Sequence, residues 1–255
     1  HTLKGHTGWI NGVKELPDGR ILSYSYDGTL RIWNGNDGAL IHTLEGHTDY
    51  VWGVEVLSDG RIISYSGDGT LRIWNGDDGT LLHTLEGHYD ERYGVEVLSN
   101  GNILSYSMDY NNTDFSIRLW NGEDGALIHT LKGHTELISG IEILQNGNIL
   151  SYSWDNTLRV WEQNNGKLLH TLKGHTRGIN DIEILPNGNI LSYSSDNTLR
   201  IYRLVANQGW NGEICLQGRF FGFAPNLDHF FGIELRLKCK NFAFLMKGCI
   251  LKGWK

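Results

Sequence analysis

Apolar and polar residues alternate in short runs along most of the chain, and the runs return in a fixed order. Residues 10–16 and 21–25 read as two β-strands joined by a turn at Pro17-Asp18-Gly19, and in the second strand Ser23 and Ser25 flank Tyr24 with the period of two expected of a pleated strand. The alternation breaks at Asp27-Gly28; residues 29–33 read as a third strand, 34–38 as a turn and 40–44 as a fourth strand. The first turn recurs at Asp59-Gly60, Asn100-Gly101, Asn146-Gly147 and Asn187-Gly188. Asp-Gly and Asn-Gly supply the positive backbone angles that tight hairpins need. The whole unit is copied, since Gly-His pairs open it at Gly5, Gly46, Gly87, Gly133 and Gly174, spaced 41, 41, 46 and 41 residues apart. A period of this length marks a solenoid, a propeller or an array. Four short antiparallel strands per period describe a propeller blade.

The phrase Gly-His, then a turn Asp, then a strand ending in Trp resembles the WD-repeat family, and it covers residues 1–204 five times over. The resemblance implies an all-β propeller of WD-repeat type with five recognisable four-stranded blades beginning near those glycines. They form either a closed five-blade ring or part of a larger ring, with a non-repeat C-terminal tail. It also implies a buried network in each blade, joining the His, a strand Ser, the turn Asp and the Trp. Carried over residue by residue, these are His6, Ser25, Asp27 and Trp33; His47, Ser66, Asp68 and Trp74; His88, Ser107, Asp109 and Trp120; His134, Ser153, Asp155 and Trp161; and His175, Ser194 and Asp196 with Tyr202 replacing Trp. The residue that closes the family's motif, Asp, is replaced here by Asn34, Asn75, Asn121, Glu162 and Arg203.

Composition divides the chain where the repeats stop. Residues 205–255 hold seven basic and three acidic residues, all three Cys and seven of the eight Phe, whereas the rest holds 15 basic and 26 acidic residues. A boundary is therefore expected near 204–207, with the propeller before it and a degenerate blade or cap after it. Within the tail, Ile233, Leu235, Leu237 and Cys239 alternate with charged residues as one half-buried strand would. The acidic body argues against nucleic acid, which is held by Lys and Arg on phosphates. No apolar run approaches the roughly 18 residues of a spanning helix, so neither a membrane nor a signal segment is expected and the cytoplasm is the expected compartment. Because His1 falls partway through the repeated phrase His-Thr-Leu-Lys-Gly-His, the chain reads as part of a longer one. Residues 1–3 match a fourth strand; if five blades close, they are expected to pair with residues 198–202.

Ser, His and Asp repeated in this way invite a catalytic triad. Five copies at equivalent positions are instead what a structural network looks like, because catalysis needs one exposed nucleophile beside an oxyanion site. No catalytic residue and no cofactor is expected. Glu55, Glu96, Glu142 and Glu183, with Lys14 in the matching place, line the first strands; a carboxylate ring could hold calcium, but a solvated channel balanced by Lys14 is the preferred reading and no metal is assigned. Cys215, His229, Cys239 and Cys249 lack the close Cys pair of a zinc site.

Differences between near-identical copies gather in three columns: Trp9, Tyr50, Glu91, Leu137 and Gly178; Asn11, Trp52, Tyr93, Ser139 and Asn180; and Tyr26, Gly67, Met108, Trp154 and Ser195. By the resemblance all three lie at one end of the ring. Aromatic enrichment there is the composition of interface anchors. The expected binding surface is Trp9, Tyr26, Tyr50, Trp52, Glu91, Tyr93, Met108 and Trp154, with Tyr110 from the longer turn of the third copy. The expected function is a noncatalytic scaffold or sensor for a protein or peptide partner; the alternatives are a carbohydrate-binding or glycan-processing propeller and a purely structural array.

Overall fold

In a computed structural model of the protein, residues 1–86, 88, 93–107, 114–205 and 209–217 are described, and all their regular structure is β. The first sheet holds β1 (Ile10–Glu15), β2 (Ile21–Ser25), β3 (Leu30–Trp33) and β4 (Leu40–Leu44). The second holds β5 (Val51–Val56), β6 (Ile62–Ser66), β7 (Thr70–Trp74) and β8 (Leu81–Glu86), and the third β9 (Tyr93–Val97), β10 (Ile103–Ser107), β11 (Ile117–Trp120) and β12 (Leu127–Leu131). The fourth is β13 (Ile138–Ile143), β14 (Ile149–Ser153), β15 (Leu158–Trp161) and β16 (Leu168–Leu172); the fifth is β17 (Ile179–Ile184), β18 (Ile190–Ser194), β19 (Thr198–Val205) and β20 (Gly209–Gln217). Strands pair in chain order within every sheet, all antiparallel, so each sheet is one blade of a propeller.

Local chemistry sets these boundaries. Gly19 closes the first hairpin at φ 85°, a left-handed angle that costs a glycine nothing, and its amide bonds the Leu16 carbonyl at 2.9 Å. The copies have glycine at the same place. In the next turn Asn156 and Asn197 take φ 69° and 65° where the first blades have glycine, as Asn tolerates better than most residues.

Four of the first strands, β1, β5, β13 and β17, also carry a feature that the alternation does not announce. The pairing of β1 with β2 slips between Ile10 and Gly12, and the same slip falls between Val51 and Gly53, Ile138 and Gly140, and Ile179 and Asp181. One extra residue, Asn11, Trp52, Ser139 or Asn180, is thus bulged out of the ladder and re-aimed.

The core lies between blades rather than inside them. Leu16, Leu22, Leu30, Ile32 and Leu44 of the first sheet meet Val51, Val54, Ile62 and Trp74 of the second. The same pattern joins the second to the third, the third to the fourth and the fourth to the fifth. Polar clips add to it: Arg20 Nη1 donates to the Gly76 carbonyl at 2.6 Å, and Arg61 Nη1 reaches the Gly122 carbonyl in the same way one blade on.

The fifth sheet corrects one expectation. Its third strand, β19, is flanked by β18 and β20, so the edge reserved for residues 1–3 is taken by 209–217. Three residues separate β19 from β20, and so short a link makes the local hairpin far cheaper in loop entropy than recruiting the distant N-terminus. The compositional break near 204–207 falls between two paired strands of one sheet. Residues 1–3 lie elsewhere: His1 and Leu3 stand against Gly38 as His42 and Leu44 stand against Gly79. Residues 218–255, with Ile233, Leu235, Leu237, Cys239, His229 and Cys249, lie outside the described residues.

Candidate functional site

The interior of each blade is organised by its Gly-His pair. His47 Nδ1 lies 2.9 Å from Asp68 Oδ2, and its Nε2 lies 2.7 Å from Ser64 Oγ. Trp74 Nε1 donates to the same Ser64 oxygen at 2.8 Å, and Thr70 Oγ1 donates to Asp68 Oδ1 at 2.7 Å. The first and fourth blades repeat this with His6, Ser23, Asp27 and Trp33, and with His134, Ser151, Asp155 and Trp161. In the fifth blade His175 bonds Ser192 and Asp196, and Tyr202 is buried in the Trp place.

Two assignments from the sequence are corrected here. The serine that joins His to Trp is Ser23, Ser64, Ser105, Ser151 or Ser192, two residues before the one expected in each blade. Residues two apart on a strand share a face, so Ser25, Ser66, Ser107, Ser153 and Ser194 are buried as well. Those with described bonds serve the turn instead: Ser25 and Ser66 accept the amides of Asp27 and Asp68, as Ser153 and Ser194 accept those of Asp155 and Asp196. In the third blade the acid is Asp114, with Oδ2 3.5 Å from His88 Nδ1, not Asp109, which lies outside the described residues. Extra residues in the long turn precede the acid, so the true counterpart of Asp27 comes after them. The threonine was missed, although Thr29, Thr70, Thr157 and Thr198 stand at one offset from the acid in the sequence.

Electrostatics fit a neutral, structural imidazole. Burial pushes His47, His134 and His175 below the usual imidazole value, against the opposing pull of their Asp partners. Burial alone would raise Asp68, but bonds from His47 and Thr70 outweigh it and hold the carboxyl far below the ordinary range. The Ser64 hydroxyl is wholly buried, so no substrate reaches it. The glycines before His6, His47 and His134 have a steric reason: a Cβ on Gly5 would stand 2.5 Å from Arg31 Nη1 and 3.2 Å from the Trp33 ring, and Gly46 and Gly133 face the equivalent Arg and Trp.

Along the first strands Lys14 Nζ pairs with Glu55 Oε2 at 2.6 Å across blades one and two. Glu96 is raised by burial and then by the charges of Glu142 and Glu55, and Glu142 by burial and then by Asp181. These carboxylates crowd one another.

The variable columns meet at one rim. The Tyr26 amide bonds the Trp9 carbonyl at 2.9 Å, and the pairs Gly67–Tyr50, Trp154–Leu137 and Ser195–Gly178 repeat it, so the first and third columns are backbone neighbours. Tyr26 then reaches across to the second blade, stacking on Tyr50 at 4.6 Å between centroids and meeting Trp52 edge-on at 5.6 Å. Trp9 packs beside Tyr26 at 6.1 Å, and Tyr50 meets Trp52 at 6.0 Å. Four of the expected residues therefore form one aromatic cluster spanning two blades. Trp9 is 81% exposed and Tyr50 46%, whereas Trp52 is half-buried beneath them. Trp154, two blades on, is 43% exposed and lies over Gly178 of the fifth blade, whose Cβ would stand 3.1 Å from the indole. Glu91, Met108 and Tyr110 lie outside the described residues, as does the Tyr93 side chain.

The volume swings between copies are thus partly complementary packing. Trp52 covers Gly67 in its own blade, and Trp154 covers Gly178 in the next. Large residues stand where the neighbouring column is small, a relation invisible when each column is read alone.

A family model described as "WD domain, G-beta repeat" matches residues 1–34, 38–75, 125–162 and 166–203, more than half of the chain. The chain belongs to the WD-repeat family. Among solved structures, the WD40 β-propeller domain of Doa1 is similar, at 28% identity and a TM-score of 0.55 over 80% of this chain and 67% of that one. The computationally designed Ika8 protein shares the fold at 24% identity and a TM-score of 0.62, over 78% of this chain and 59% of its own. The chain thus spans about two thirds and three fifths of these propellers. No curated protein matches it. WD-repeat propellers are in general noncatalytic scaffolds for protein interaction.

Proposed function

We propose that this protein is a noncatalytic scaffold that binds a protein or peptide partner on the rim where blades one and two meet. The observation that carries the reading is the aromatic cluster: Trp9, Tyr26, Tyr50 and Trp52 touch one another across two blades while Trp9 and Tyr50 remain open to solvent. Exposed apolar surface of this kind on a soluble domain favours an interaction site, and Trp and Tyr are the side chains that most often dominate binding energy. Trp52 supplies the floor, holding the Tyr26–Tyr50 stack, so that the two outer rings are presented with little entropy left to lose.

The test uses peptides selected from a displayed library on the intact chain. Trp9→Ala and Tyr50→Ala are each expected to weaken the selected peptide by about 30-fold, roughly 2 kcal/mol, while the melting temperature stays near that of the parent. Trp52→Ala should weaken binding and also cost stability. Peptides that bind the Trp9→Ala/Tyr50→Ala double variant as tightly as the parent would place the partner elsewhere and overturn the proposal.

A further inference from the structure

The aromatic rim carries a charge that its rings do not explain. Asp49 precedes Tyr50, and its loop is fixed at three points. The Asp49 carbonyl accepts from Ser66 Oγ at 3.0 Å, the Tyr50 carbonyl accepts from the Gly67 amide at 2.9 Å, and the Tyr50 amide donates to Asp49 Oδ1 at 2.7 Å. A Cβ on Gly67 would stand 3.3 Å from both Asp49 Oδ2 and Trp52 Nε1, so the carboxylate lies beside the indole that meets Tyr26 and Tyr50 edge-on. Gly67 stands where blade one has Tyr26, and no side chain of its own fills that spot. Asp49 is exposed, and among the described residues no Lys, Arg or His side chain pairs with it.

We propose, on the reading that this rim binds the partner, that the partner is a basic peptide with an arginine held by Asp49 and the Tyr50 and Trp52 rings. Aromatic rings alone attract any apolar side chain. A carboxylate among them selects a cation, whose charge is drawn to the negative face of a ring as well as to the acid. Arginine satisfies both groups: its planar guanidinium stacks on a ring while its N–H fork takes a carboxylate oxygen, and it sheds water more readily than an ammonium. An acidic ligand would meet Asp49 as a like charge, and an apolar one would strip its water and offer no partner. Charge over the rest of the repeats acts the same way. Residues 1–204 hold 26 acidic and 15 basic residues, and Asp49, Asp90 and Glu136 directly precede the first-column residue in three consecutive copies. Such a surplus raises the local concentration of a basic segment.

The test compares a peptide with its citrulline twin on the intact chain, citrulline keeping the shape of arginine and losing its charge. Peptides are selected from a displayed library of random sequence, and binding is read by fluorescence anisotropy. The selected peptides are expected to carry an arginine whose change to citrulline weakens binding by about 10-fold at low salt and by less at high salt. Asp49→Asn, which keeps the Oδ1 acceptor of the Tyr50 amide, is expected to weaken the arginine peptide by about 10-fold and to leave the citrulline peptide within about twofold. Tyr50→Ala is expected to weaken both. The citrulline comparison changes only the peptide, so it holds whatever Asp49→Asn does to the fold. Selected peptides that lack arginine, or an arginine that citrulline replaces with less than about twofold loss, would overturn this proposal. If Tyr50→Ala still weakens such peptides, the rim stands as the binding surface and only the basic partner falls. Peptides indifferent to Tyr50→Ala would overturn the rim and the basic partner together.

Discussion

Replacing Ser64 by Ala tests the buried network at its central atom. With the imidazole neutral, the proton ledger of the second blade closes. His47 donates from Nδ1 to the Asp68 carboxylate, the Ser64 hydroxyl donates to His47 Nε2 at 2.7 Å, and its oxygen accepts from Trp74 Nε1 at 2.8 Å. Ser64→Ala removes both serine bonds and leaves an indole N–H and an imidazole lone pair stranded where water does not reach, since Ser64 and Trp74 are 0% and 1% exposed. Each stranded partner costs about 1–3 kcal/mol, so the loss is expected at about 2–4 kcal/mol after some relaxation. At about 2–4 °C per kcal/mol for a chain of this size, the melting temperature should fall by about 5–15 °C. Ser66→Ala is the paired control. Its hydroxyl donates to the Asp49 carbonyl at 3.0 Å and accepts the Asp68 amide at 3.2 Å, longer bonds at a partly open turn, and its loss should cost about 1–2 kcal/mol. Urea unfolding followed by far-ultraviolet circular dichroism reads both. A cost below about 1 kcal/mol for Ser64→Ala, or a larger cost for Ser66→Ala, would refute the assignment of Ser64 as the network's centre.

Two further outcomes follow from charge. His47, His134 and His175 hold folded values below the free 6.5, so the unfolded chain takes up protons first on acidification; stability should be full above about pH 6.5 and fall as pH drops through the lower folded values, with a second loss below about 3.8 as Asp68 and its equivalents protonate. A melting temperature that stays flat from about pH 7 down to about pH 5 would contradict this. Glu96 has the opposite sign: its folded value is raised above 4.5, by burial first, so ionisation penalises the fold as pH rises past it, and Glu96→Gln should stabilise the protein at neutral pH by no more than about 1 kcal/mol and have no effect well below pH 4.5. Equal stabilisation at both pH values would point to packing rather than charge.

The blade and its strand boundaries were legible because hairpin glycines and period-two alternation are local signals, repeated five times in register. The network's members were legible only to within the symmetry of the strand. Ser23 and Ser25 share a face, and nothing local says which one stands opposite the indole. Asp114 could have been found by counting back from the third strand, because Asp114-Phe115-Ser116-Ile117-Arg118 matches Asp27-Gly28-Thr29-Leu30-Arg31, whereas counting forward stops at Asp109. The bulge at Asn11 had no such signal, yet it is what turns that side chain toward the next blade.

Repetition also explains why exposure escaped the sequence. Ile10 and Val51 are equivalent apolar residues in equivalent strands, but one is 56% exposed and the other wholly buried, because the neighbouring blade and not the strand decides. In an array each unit contributes half of every interface it makes. A copied unit therefore specifies its own fold and the joint to its neighbour with the same residues. Selection for a partner can act only where copies are free to differ, and the rim meets that condition. Trp9, Tyr50, Leu137 and Gly178 occupy one backbone position, each with its carbonyl committed to the same turn amide, so the side chain can change without disturbing the blade that presents it.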